Sequence, residues 1–268
     1  MRAPARFLLN TPEIELWPGG LLHARSNHDA RTLARAHHVL RRKRDGRYLA
    51  AVLPEGLQPL LPRWSREPGV DAALDALDAL SAARGHIPLA ATALPLGRLC
   101  GHLQALGVDP GYADATGLPL VAEPSVLALA GCDRFGRPLW LSTGAARAWQ
   151  RMRQAASREG VAMDAISGYR SHDYQLGIFK RKRARGIALA QILEVNAAPG
   201  YSEHHDGNAI DIGSPGQAPA EEAFEASPAF AWLRADAAHW GFRLSYPRDN
   251  PHGIIYEPWH WYYTGEPV

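Results

Sequence analysis

The sequence predicts an α+β protein. A small, largely antiparallel sheet with flanking helices is expected over residues 119–268, and an α/β-type region over residues 1–118. Three observations lead there. Beyond residue 119, short strand-like runs are interspersed with helix-period segments, and helices fall both before and after the central runs. Residues 107–119, GVDPGYADATGLP, are dense in glycine, aspartate and proline and read as a linker. Ahead of that linker, helical and strand-like patterns alternate.

The N-terminal part begins with weak alternation over 13–17 and a turn at Pro18-Gly19-Gly20. Over 29–42, Leu33, Ala34, Ala36, Val39 and Leu40 recur at helical spacing with basic residues opposite them. Asp45-Gly46 suggests a turn and 48–53 a short strand. Residues 71–84, DAALDALDALSAAR, give the clearest helix here, with Leu74, Leu77 and Leu80 in register and Gly85 as its stop. The basic run HHVLRRKRDGR reads as the solvated face of a helix, because no aromatic side chain interleaves its charges. No chemistry is visible in this part.

In the C-terminal part, 125–129 is an apolar strand, 133–137 a turn and 138–141 a second strand. Ser142 can cap a helix over 145–158 with Trp149, Met152 and Ala156 on one face. A strand at 161–166 follows, then a helix capped by Ser171 that runs into the basic tail KRKRARG, and another over 188–195. Residues 229–239 read as helix, 242–246 as strand, and 256–263 as holding the closing strand.

With 268 residues the chain can hold one large domain or two modest ones. Hydrophobic residues at 46% and charged residues at 21% place it among folded rather than disordered chains. The net charge of +2 argues against a nucleic-acid partner. Near the N-terminus the only apolar run is FLL, short of the ~7–15 residues of a secretory leader. No window reaches the ~20 apolar residues of a membrane span. The chain therefore reads as cytoplasmic, or as the mature form of an exported protein. Cys100 and Cys132 lack metal-site spacing and are expected as buried thiols, with a single bridge open to them in an oxidising compartment.

The chemistry concentrates in residues 200–213, GYSEHHDGNAIDIG, and in YEPWHWYY at 256–263. Gly207 breaks any helix, and 209–212 alternates with period two, so Ile210 and Ile212 face a core while Ala209 and Asp211 face the other side. An aspartate between two isoleucines is costly to bury unpaired. A cation beside it removes that cost, Ala209 keeps that side open, and His204 on the preceding loop can reach the same ion, with His205 as the rival ligand. Pro258 holds Glu257 extended and bends the chain, which is one way to aim Glu257 and His260 at one pocket. Two imidazoles and a carboxylate close three corners of a tetrahedral zinc site, and a further carboxylate can move a water proton. That is the inventory of a metallohydrolase. His239 and His252 read as core or surface histidines, and the aromatic residues around His260 as packing.

The run S-E-H-H-D-G-N-A-I-D matches an SxHxxGxAxD signature, E-P-W-H-W matches an ExxHW-like element, and S-G-Y-R-S-H-D-Y-Q at 167–175 looks like a third element. On these three, over roughly residues 120–265, the chain resembles the VanY-type D-alanyl-D-alanine carboxypeptidases, which are zinc peptidases sharing a fold with the zinc-binding domain of hedgehog proteins. The resemblance implies one Zn2+ per chain held by His204, Asp211 and His260, and so favours His204 over His205. It implies Glu257 as catalytic base and Arg170 as the cation that steadies the substrate carbonyl and tetrahedral intermediate. Ser171 and Gln175 would hold the terminal residue of the substrate. The implied partners are peptidoglycan stem peptides or muropeptides, cut at a terminal D-alanine. A D,D-dipeptidase, an L,D-carboxypeptidase or an endopeptidase would use the same site. A non-catalytic zinc-stabilised binding module is the reading of another class, and the presence of both Glu257 and Arg170 speaks against it.

Overall fold

The computed structural model describes residues 7–24, 26–83 and 91–265. The chain forms two compact units. One comprises the described residues up to Pro95 together with Pro124–Ala128; the other comprises Leu96–Glu123 and the chain from Leu129 onward.

The first unit is a meander of antiparallel strands. It contains β1 (Phe7–Asn10), β2 (Ile14–Pro18), β3 (His38–Arg42), β4 (Tyr48–Leu53) and β5 (Gly56–Pro59), ordered β5-β4-β3-β2-β1. The first residues of β6 (Val126–Cys132) lie beside β1, with Leu9 opposite Val126. Two helices, α1 (Asn27–Arg35) and α2 (Val70–Ala82), complete it. The expected helix over 29–42 therefore stops at Arg35, and His38–Arg42 is a strand. Val39 and Leu40 explain why. Both are fully buried, yet Val39 packs with Leu33, Ala51 and Leu53, while Leu40 packs with Leu16, Leu49 and the α2 residues Val70 and Ala73. Consecutive side chains entering two different cores follow the period of a sheet covered on both faces. The basic run belongs to this strand rather than to a helical face. Arg42 pairs with Asp45 and Glu67, and Arg41 pairs with Glu15 while lying over the Trp17 ring. Arg84 and Gly85, the expected end and stop of the second helix, lie outside the described residues.

Burial, helped by the charge of neighbouring His37, lowers His38 on β3 to about 4. An unfolded histidine titrates near ~6.5, so between those values the unfolded chain binds a proton that the folded chain refuses. The stability concerned is complete above ~6.5 and is lost on acidification at up to about 1.4 kcal/mol per pH unit. The urea midpoint of the parent should thus fall more steeply from pH ~7 to ~4.5 than that of His38→Gln. Parallel profiles would contradict this.

The second unit holds β7 (Pro138–Leu141) and a four-stranded antiparallel sheet of β8 (Asp164–Ser167), β9 (Ala209–Gly213), β10 (Phe242–Leu244) and β11 (His260–Tyr263), ordered β10-β11-β9-β8. Its helices are α3 (Leu99–Leu106), α4 (Tyr112–Thr116), α5 (Thr143–Arg158), α6 (His172–Ala184), α7 (Leu189–Glu194) and α8 (Pro228–Asp236). As expected, Ser142 caps α5 by accepting the Ala145 N–H, and Trp149, Met152 and Ala156 are fully buried. The stretch expected as a linker is instead structured. Gly107 and Gly117 take left-handed conformations that end α3 and α4, and Leu106, Val108, Tyr112 and Leu118 join the core of Phe179, Ile192 and Tyr201. The chain thus divides at Pro95 and around 124–128, where the sequence reading divides it once at 118. Cys100 and Cys132 are free and exposed, not buried thiols. Among the described residues no helix is long and apolar enough to cross a membrane.

Candidate active site

The alternation read from Ala209-Ile210-Asp211-Ile212 is realised in β9, where both isoleucines are fully buried and Asp211 points to the other face. Strand β11 pairs antiparallel with β9 so that His260 lies directly opposite Asp211. Cross-strand partners have neighbouring side chains, and His260 Nδ1 lies 3.1 Å from Asp211 Oδ1.

His204 reaches the same oxygen from a 3-10 turn, Glu203–Asp206, where the Ser202 hydroxyl caps the turn by accepting the His204 N–H. Gly207 ends that turn at φ 75°, a conformation suited to glycine, and sends the chain into β9. His204 Nδ1–H donates to the Gly168 carbonyl at 2.8 Å, which leaves Nε2 without a proton, 3.3 Å from Asp211 Oδ1 and accepting from the Arg170 side chain. Gly168 has no room for a side chain, since a Cβ there would stand 2.7 Å from the Trp140 carbonyl oxygen. The rival His205 spends both ring nitrogens on backbone. Its Nδ1–H donates to the Arg170 carbonyl at 2.7 Å, and its Nε2 accepts the Gly200 N–H at 3.0 Å. Burial holds it neutral, with its pKa lowered to about 3. Fixed backbone thus holds both of its ring nitrogens, whereas His204 Nε2 meets side chains, Arg170 and Asp211.

Glu257 and His260 sit at the two ends of a tight turn through Pro258, closed by the His260 N–H donating to the Glu257 carbonyl at 3.1 Å. That turn brings Glu257 Oε2 to 3.9 Å from His260 Nδ1. Burial pushes the Glu257 carboxyl up to about 7 against the pull of His260 and Arg170, with Asp211 and Glu203 adding to the rise. Asp211 behaves oppositely. Burial favours its neutral form, but the charges of His204 and Arg170 and hydrogen bonds from His204 and His260 outweigh it and hold the carboxyl well below its usual range.

Arg170 Nη2 donates to Asp211 Oδ2 at 2.6 Å and to His204 Nε2 at 2.9 Å, while Nε donates to Ser167 Oγ. The backbone of Arg170 is fixed to the His204 turn by its N–H on the His204 carbonyl. Glu123 grips the same loop, accepting the Tyr169 hydroxyl at 2.5 Å and the His172 N–H at 2.8 Å. Of the expected substrate residues, Ser171 caps α6 by accepting the Tyr174 N–H and does not line the cavity. Gln175 does line it. Its Nε2–H donates to the Ala197 carbonyl, and its Oε1 is buried without a hydrogen-bond partner among the described residues.

Arg170, Gln175, His204, Asp211, Glu257 and His260 thus converge on one cavity of about 290 Å³. One ligand atom from each of His204, Asp211 and His260 lies within 4.8 Å of the others, and all three residues are buried. His239 is exposed, and His252 hydrogen-bonds the Thr116 carbonyl. Two carboxylates escaped the sequence reading: Glu123, and Glu203, whose Oε2 lies 2.9 Å from His260 Nε2.

The family model for VanY, D-alanyl-D-alanine carboxypeptidase, matches residues 138–266. The bifunctional D-Ala-D-Ala dipeptidase and D-Ala-D-Ala carboxypeptidase VanXYC of Enterococcus gallinarum is 32% identical over 151 residues, which cover 54% of this chain and 77% of that enzyme. This chain belongs to the VanY family. The carboxypeptidase-named protein YodJ of Bacillus subtilis (strain 168) is 39% identical over 127 residues, covering 46% of this chain and 45% of that protein. A D-alanyl-D-alanine carboxypeptidase of Enterococcus faecium is 33% identical over 132 residues, covering 48% and 39%. The chain therefore spans less than half the length of these two relatives. Among solved structures, the LD-carboxypeptidase LdcB superposes with a TM-score of 0.44 at 36% identity, covering 47% of this chain and 60% of that one. A variant of the D,D-pentapeptidase VanY in complex with Zn(II) gives a TM-score of 0.40 at 28% identity, covering 47% and 73%. Every residue named in the three motifs lies inside the VanY match, whereas Glu123 lies outside it.

Proposed function

We propose that this chain is a zinc-dependent carboxypeptidase that removes the terminal D-alanine from peptidoglycan stem peptides or muropeptides. The observation that carries the reading is the buried His204–Asp211–His260 group with Glu257 beside it and Arg170 across it, in one cavity. VanY membership supports the substrate class.

The donor set fits one zinc ion per chain. Ligand atoms about 2.0–2.1 Å from a tetrahedral ion stand about 3.3–3.4 Å apart. His204 Nε2 and His260 Nδ1 lie 3.3 and 3.1 Å from Asp211 Oδ1. Zinc held there would supply a Lewis acid and lower the pKa of water toward ~7. Glu257 takes the proton of the attacking water and passes it to the amine of the departing D-alanine as the C–N bond breaks. Its raised pKa suits a group that must both accept and donate near neutrality. Arg170, always charged, offsets the negative charge that grows on the carbonyl oxygen. Gln175 offers its buried Oε1 to the terminal residue, and Ser171 serves it by capping the helix on which Gln175 rides. Arg170→Gln should keep zinc and lose about 10²–10³ in kcat on a pentapeptide stem. A loss below tenfold would remove Arg170 from the mechanism.

Digestion of tri-, tetra- and pentapeptide stems with mass analysis of the products tests the whole reading. The expected result is conversion of pentapeptide to tetrapeptide with release of one alanine. A second reading, a D,D-dipeptidase on the same residues, is favoured by the dual activity in the name of VanXYC. Cleavage of free D-Ala-D-Ala with the pentapeptide left intact would select it. Conversion of tetrapeptide to tripeptide would select an L,D-carboxypeptidase, and tight binding of every stem without cleavage would leave the binding module.

A further inference from the structure

We propose that Glu203 is a positioning residue that holds His260 as its Nε2–H tautomer and so presents Nδ1 to the metal. The inference rests on the metal-site reading and deepens it. The two histidines of the group must use different ring nitrogens, and each needs its own anchor. For His204 the outer nitrogen is Nδ1, and its N–H is spent on the Gly168 carbonyl, a neutral acceptor on the loop that follows β8. For His260 the outer nitrogen is Nε2, and it meets Glu203 Oε2 at 2.9 Å. A carboxylate accepts and does not donate, so this contact holds a ring proton on Nε2, while Nδ1 faces Asp211 Oδ1 at 3.1 Å, where a bound metal would take the place of the Nδ1 proton.

Glu203 is not a ligand in waiting. It approaches the ring nitrogen opposite the one that faces Asp211, while the three ligand atoms gather around Asp211 Oδ1. Its own position is set from outside. Arg243 Nη2 on β10 lies 3.1 Å from Glu203 Oε1, and Arg243 is the cross-strand neighbour of Tyr262 on β11. The strand next to the one that carries His260 therefore aims the carboxylate at the ring. Glu203 also occupies the turn position just before His204. One short turn thus supplies a ligand with one residue and orients the other imidazole with the residue before it. A carboxylate behind a ligating imidazole raises its basicity as well as fixing its orientation, and removing such a partner costs about 10–100-fold in metal affinity.

The test is zinc affinity by chelator competition on the parent, Glu203→Gln and Glu203→Ala, together with 15N spectra of histidine-labelled, 113Cd-loaded protein. The expected result is a loss of about 10–100-fold for Glu203→Ala and a smaller loss for Glu203→Gln, which keeps an acceptor oxygen but not the charge. In the parent, 113Cd should couple to Nδ1 of His260 and Nε2 of His204. Glu203→Ala should weaken or split the His260 coupling, which a carboxylate that only paired with Arg243 would leave untouched. Should Glu203→Ala fail to fold, the parent coupling and the Gln variant still decide. Zinc affinity unchanged or increased in both variants, or cadmium coupled to Nε2 of His260, overturns the proposal. A parent that binds neither metal overturns the metal reading itself, which is a separate result.

Discussion

Glu257→Gln is expected to purify with its zinc in place and to have lost about 10²–10⁴ of the parent kcat on a pentapeptide stem. The substitution keeps the shape of the side chain and removes only its ability to take and return a proton. Zinc should stay because Glu257 stands outside the ligand set, with its nearest oxygen 3.9 Å from His260 Nδ1. The fold should stay because burial already pushes the parent carboxyl toward its neutral form, which glutamine resembles in shape and charge. Zinc content by mass spectrometry and single-turnover rates on the same preparation check both halves. Parent-like turnover would mean that another group moves the proton, and loss of zinc would mean that Glu257 is a ligand.

Asp211→Ala should do the reverse, costing metal, activity and stability together. Asp211 touches Arg170, His204 and His260 at once, at 2.6, 3.3 and 3.1 Å. Removing it takes the oxygen at which the ligand atoms meet and strands the largely buried guanidinium of Arg170. Breaking a buried pair from one side typically costs about 3–5 kcal/mol. Urea unfolding in the presence of a chelator, so that lost zinc does not contribute, should show a destabilisation of about that size. His204→Ala should lose zinc with a smaller cost in the same assay, since the Arg170–Asp211 pair survives. An Asp211→Ala protein that binds zinc as the parent does would dismantle the site described here.

The clustering of His204, Asp211 and His260, with Glu257 beside them, was legible because these residues are written in two short local stretches. His204 and Asp211 share one short stretch, and Glu257 and His260 share a turn whose proline is visible in the sequence. The choice between His204 and His205 was legible only through the motif. Its physical reason, that His205 spends both nitrogens on Gly200 and Arg170, depends on a loop packed from 35 residues earlier in the chain. Glu203 and Glu123 were invisible for the same reason. Glu203 looked like an unassigned motif position until the β10–β11 pairing placed Arg243 and His260 on its two oxygens. Glu123 precedes the matched stretch, and only the fold brings it to Tyr169 and His172.

The misread elements share one cause, which is tertiary packing overriding a local pattern. Val39 and Leu40 fit a helical stripe as well as a strand, and only the two cores on either side of β3 decide between them. The glycines of 107–119 looked like a linker because a glycine that ends a helix and a glycine in a loose connection are the same letter. The buried Leu106, Tyr112 and Leu118 distinguish the two, and their burial is not encoded in the spacing.

His204, Asp211 and His260 are proposed to grip one divalent ion. Anomalous diffraction at the zinc edge from crystals of the zinc-loaded protein tests it most directly. The account predicts a single strong peak about 2.0–2.2 Å from His204 Nε2, Asp211 Oδ1 and His260 Nδ1. A peak bound instead by His205, or zinc-loaded crystals with no peak in this cavity while the protein still cleaves its substrate, would contradict it.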